Sequence, residues 1–342
     1  MHTRIIAALF GAFGVMAAGA EALPTPGAPH YHQVAVIPIG GEGGWDYLTL
    51  DPAARRLYVT HATRVVVVQA DTGKRLGEIP DTAGVHGVAL ARDLHRGFTS
   101  NGASSTVTVF DTRTLKVLRT VAATGQNPDA IVYDPVSQRV FTMNGRSDNA
   151  TAIDARRLEV VGTVALGGRP EFAVADGHGH LYINLEDRSE QVELDTRTLA
   201  VTRRWSLSPC QSPSGLAMDT ARRRLFAGCH NQMMAVVDAD AGKVVATVPI
   251  GRGVDANRYD PSTHLVFSSN GDGTLTVVRQ LAPDRYEVVE NVQTARGART
   301  MELDPTTHRI YLATADFAPA AGAPQGRPRP VPGTFRILAF AP

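Results

Sequence analysis

Seven side chains able to carry charge or bond a polar ligand recur along the chain at intervals of 40 to 44 residues: Asp46, His86, Asp129, Glu171, Ser214, Asp255 and Arg299. Gathered into one ring they bring four carboxylates, an imidazole, a hydroxyl and a guanidinium, a formal charge of −3 with the histidine neutral. Carboxylates confined together raise one another's pKa or require a counter-cation. Such a ring either holds protons or takes a positively charged guest, a ligand or a metal ion. Oxygen-rich donors suit Ca²⁺ or Mg²⁺ better than zinc. Asp129, Glu171 and Asp255, with Asn144 and Asn184, are the candidate metal ligands, and His86 is the candidate general base. A second tier repeats with the same period: His61, Asn101, Asn144, Asn184, His230 and Asn270. Their amides and imidazoles are expected to add ligands or orient a substrate. The competing reading is that the ring is only solvated and that Asn at a strand end serves its turn.

The ring exists only if the chain brings these positions together. Each lies five residues before a turn, best seen in DYLTLDPAARRLYV, Asp46 to Val59. Leu48 and Leu50 alternate with polar partners, the period of a half-buried strand. Asp51-Pro52 makes the turn, and Leu57-Tyr58-Val59 returns as a second strand. Copies open at Ala91, Asp134, Asp176, Asp219, Asp260 and Asp304, six steps in 253 residues. A third strand ends in Asp71, Asp111, Asp154, Asp195 and Asp238, and a fourth follows a short turn. A period of about 40–45 residues with four short strands is that of a propeller blade. The fold class is therefore all-β, a seven-bladed β-propeller of four-stranded blades. First strands line the central channel of such a fold, so the seven positions gather at one of its mouths.

Tyr58-Val59-Thr60, with Asn101, Asn144 and Asn270 at the equivalent place of other units, resembles the YVTN-type (YncE-like) propeller repeat family; His61 stands where Asn is usual. The likeness runs from Val34 to Phe340. It implies the propeller fold and an exported bacterial protein, and no particular chemistry, because propellers serve many tasks.

The termini extend this reading. Residues 1–22, with Arg4 before an apolar run and A-x-A sites at Ala20 and Ala22, read as a secretory signal. The run is too short to span a bilayer, so a periplasmic or secreted protein with no membrane insertion after cleavage is expected. Residues 23–33 read as a flexible lead-in and 34–342 as one propeller. VAVIPI, Val34 to Ile39, reads as a fourth strand with no first three before it, and Thr334 to Phe340 as a third strand with no fourth after it. Together they close the seventh blade. Cys210 and Cys229 reach one face of blade five, where an oxidising compartment would join them as a disulfide. Residues 315–333, rich in Pro, Ala and Gly, form a long loop expected on the mouth that carries the ring.

Net charge is +1, with no basic stripe of the kind nucleic acid requires. No phosphate loop, nucleophile elbow, H-E-x-x-H or haem-attachment motif is present. His30/His32 and His178/His180 are read as exposed pairs. Three functions stay open: a monomeric scaffold that binds a small molecule or a periplasmic protein at the channel face, a metal-assisted hydrolase or lactonase, and an electron-transfer partner.

Overall fold

Inner strands such as Arg64–Gln69 (RVVVVQ) and Thr106–Asp111 (TVTVFD) carry β-branched residues on both faces, and their central four residues are buried. Only a sheet covered on both sides allows this. A computed structural model describes residues 29–318 and 329–342. Among the described residues 28 strands form seven four-stranded antiparallel sheets. Six follow chain order from the inside out. The seventh runs His32–Pro38, Arg336–Ala341, Arg309–Thr314, Thr300–Asp304. The fold is a seven-bladed propeller whose last blade takes its outer strand from the N-terminal end.

That closing strand begins at His32, two residues ahead of the expected start. Tyr31, read as lead-in, is core: it sits edge-on to Phe267 at 5.2 Å and donates its hydroxyl to the His308 carbonyl. Alternation alone missed it because Tyr31 belongs to no strand. The signal-like residues 1–22 lie outside the described residues, as does 319–328 of the long loop.

Two contacts repeat from blade to blade. The turn Asp is an acceptor for the neighbouring blade as well as for its own turn: Asp304 takes Arg55 at 2.6 Å, Asp134 takes Thr196 at 2.7 Å and Asp260 takes His308 at 2.6 Å. An Arg opening the second strand donates to two successive carbonyls of the next blade. Arg96 reaches those of Ala155 and Arg156, both at 2.6 Å, and Arg139 those of Thr196 and Arg197. Both devices need exact angular spacing of the sheets, so they hold the ring as well as the blades.

Cys210 and Cys229 form the expected disulfide, Cα atoms 5.6 Å apart across a separation of 19 residues. A loop of that length is worth ~3 kcal/mol through the unfolded chain. The Cys210→Ser/Cys229→Ser variant is expected to melt several degrees lower than the parent. Reductant should move the parent toward the variant and leave the variant unmoved.

Candidate functional site

Five of the seven ring residues lie on first strands: Val85–Ala91, Pro128–Asp134, Pro170–Ala175, Pro213–Asp219 and Val254–Asp260. Asp46 lies two residues before Leu48–Asp51, and Arg299 immediately precedes Thr300–Asp304. In all five of those strands the register with the second strand shifts at the ring residue, as between Pro128 and Ile131 or Val254 and Ala256. A bulge re-aims the side chain it carries. Here it turns a strand-start residue towards the axis, with prolines at 128, 170 and 213 placed where a first residue needs no ladder hydrogen.

The side chains form a connected collar. His86 Nδ1 is 2.6 Å from Asp46 Oδ2 and 3.6 Å from Asp129 Oδ1. Ser214 donates to Asp255 at 3.0 Å and approaches Glu171 at 3.5 Å. Arg299 Nε meets Asp255 at 3.1 Å. Asp129 Oδ1 is buried and has no hydrogen-bond partner among the described residues.

Burial and mutual repulsion set the protonation. Burial first, then the Asp46 charge, lifts Asp129 to about 7. Burial, then the charges of Asp129 and Asp255, lifts Glu171 well above the usual carboxyl range. Burial raises Asp255 to about 6 against the opposing pull of Arg299. Burial opposes the charge on His86, but the Asp46 hydrogen bond and the Asp129 charge win and raise it to about 9. The collar thus sheds most of its formal charge by holding protons. Held protonated by Asp46, His86 would have to lose that proton before serving as the general base read from the sequence.

The second tier behaves differently. Asn101 gives its amide to Thr106 and Thr108 and accepts from Thr99; Asn144 does the same with Asn149, Thr151 and Thr142, and Asn270 with Thr274, Thr276 and Ser268. Asn184 donates to the Ser214 carbonyl and accepts from Gln191. All four are fully buried. These amides clamp the second-to-third-strand hairpin or the next blade, which corrects the expectation that Asn101, Asn144, Asn184 and Asn270 line the channel and that Asn144 and Asn184 hold a metal. His61 is buried beside Phe335 at 4.7 Å, and burial pushes it down to about 4. His230 stays on the rim, 3.8 Å from Glu186. Among the described residues, Asp46, His86 and Asp129 bring ligand atoms within 4.8 Å of one another.

Aromatic residues escaped the sequence reading. Tyr47 of blade one reaches across the axis to Phe172 of blade four, ring centroids 5.0 Å apart, and Arg258 covers Phe172 while pairing with Glu302 at 3.0 Å. This layer divides the channel. The collar lies at the strand starts on one side, and a cavity of about 500 Å³ whose lining includes Tyr47, Tyr133 and Tyr259 lies further along the strands. Tyr47 follows Asp46 directly, and a period count keyed to polar residues passes over it.

No family model matches the chain. No curated protein matches it. Among solved structures it is similar to "Structure of U3-55K", at 8% identity and a TM-score of 0.75 over 90% of this chain and 98% of that one. It is also similar to "Crystal structure of RRP9 WD40 repeats", at 9% identity and a TM-score of 0.76 over 92% and 99%. Identities this low carry the propeller fold alone.

Proposed function

We propose that this protein is an exported scaffold of the YVTN type whose collar-bearing face receives a small molecule or a partner protein by a positively charged group. The propeller fold is consistent with a binding scaffold. The observation that carries the reading is Asp129 Oδ1, buried among three further carboxylates without a hydrogen-bond partner, its cationic neighbour being His86 Nδ1 at 3.6 Å. An ammonium or guanidinium seated there would replace the protons the collar holds. The signal-like residues 1–22 and the disulfide support export to an oxidising compartment such as the periplasm, with the protein acting as a monomer.

Agmatine, which has two cationic ends and no carboxylate, is a direct probe. Calorimetric titration of the mature-length chain is expected to give saturable binding, tighter at pH 8 than at pH 5 because the carboxyls must ionise. Asp129→Asn should weaken it about tenfold, the scale of one charge-assisted hydrogen bond. Absent binding at both values, or binding indifferent to Asp129→Asn, sinks the reading.

The Asp46–His86–Asp129 trio favours a second reading, a divalent-metal site for a hydrolase. Its signature would be a stoichiometric ion in the purified protein, a lower melting temperature in EDTA and loss of both in Asp129→Asn.

A further inference from the structure

Beside the collar, between blades one, six and seven, Trp45, Arg296, Gly297, Arg299, Phe317 and Pro330 border a second pocket of about 500 Å³. Its size is that of a small-molecule site. The character is opposite to that of the collar. Among the described residues no carboxylate lines it, while two guanidinia do. Arg299 answers Asp255 through Nε, but Arg296 is exposed and meets no carboxylate among the described residues.

The aromatic wall is held in place. Trp45 stacks on Phe335 with centroids 4.8 Å apart and planes 19° apart, and Phe317 adds a second ring 6.1 Å from Trp45. Gly297 sits at φ +78°, and a Cβ there would strike the Phe317 ring at 2.6 Å. Glycine is therefore required both by its backbone and by the ring laid against it. Gly44, also in the lining, leaves open space where a side chain would stand.

We propose that this pocket binds a small aromatic carboxylate, its ring against Trp45 and Phe317 and its carboxylate on Arg296 with Arg299. A guanidinium matches a planar carboxylate with two parallel hydrogen bonds. Two guanidinia lining one pocket repel a cation, and a neutral ring would gain no charge-assisted hydrogen bond from them. The pocket shares Arg299 with the collar, but its lining includes none of the collar carboxylates.

Full-chain protein titrated with 2-naphthoate tests this. Saturable one-to-one binding is expected, with the uncharged 2-naphthamide about tenfold weaker. Arg296→Ala should weaken naphthoate by a similar factor, Arg296→Lys should restore only part of it, and Phe317→Ala should weaken both compounds. Asp129→Asn should not weaken naphthoate at all. No saturable binding, or affinity unchanged in Arg296→Ala, overturns the proposal. Loss of agmatine binding with naphthoate retained sinks the collar reading alone, and the reverse result sinks this one alone.

Discussion

A chain lacking residues 29–38 is expected to lose its cooperative thermal transition. The strand removed, His32–Pro38, pairs with Arg336–Ala341 from His32 opposite Ala341 to Pro38 opposite Arg336. Its outward valines are exposed, Val34 at 42% and Val36 at 47%, so its worth is not in buried area along its length. The worth lies in the ladder, in Ile37 at one end and in Tyr31 at the other, where that ring joins the core between blades six and seven. Deletion would bare the backbone of Arg336–Ala341, an open edge ready to pair with another chain. The ring would also lose the covalent tie between its first and last blades. Circular dichroism melts and size exclusion read both consequences, a broad or absent transition and aggregation. A synthetic peptide of residues 29–40 added in trans should restore the melt. A deletion variant that melts within a few degrees of the parent would show that the ring closes without this strand.

Alkaline pH is expected to destabilise the protein through the collar. Asp129, Glu171 and Asp255 have folded pKa values above those of the unfolded chain. For an acid raised in this way, stability is complete below the unfolded pKa, near 4, and is lost as pH climbs through the folded value. His86 acts in the same direction over a higher window: its contribution is whole below about 6.5 and fades as pH passes about 9, when Asp46 loses its partner. The melting temperature should therefore fall from pH 5 to pH 9. Asp176, Asp260 and Asp304 are depressed, because hydrogen bonds and cationic neighbours outweigh their burial. Their contribution is lost as pH falls below about 4, which puts the optimum on the mildly acid side. Asp129→Asn/Glu171→Gln should flatten the alkaline limb and melt several degrees above the parent at pH 8. It should lie close to the parent at pH 5. A parent profile flat across this range, or a double variant no more stable at pH 8, would show that the collar carboxyls are ionised and solvated.

Much of the architecture could be read along the chain, and the reasons are local. The Asp-Pro turns and alternating strands repeat, so blade number and strand order followed from counting. The unmatched strands at the two ends implied the 3+1 closure. The arrival of Cys210 and Cys229 on one face implied their bond. The collar could be located for the same reason, since a position fixed relative to each turn is fixed relative to the axis.

Whether a polar residue is spent or available was not legible. Asn144 and Asp129 are both polar and both periodic, yet Asn144 is saturated within its own hairpin while Asp129 keeps a buried oxygen without a hydrogen bond. Side-chain direction at the bulges decides which occurs, and no residue type encodes it. The Tyr47–Phe172 layer and the pocket of Trp45, Arg296 and Phe317 join residues more than a hundred positions apart. Periodicity places each residue within its blade. Only closing the ring sets the distance from one blade to another, and that distance decides which charges share the collar and which aromatic rings wall off a pocket beside it.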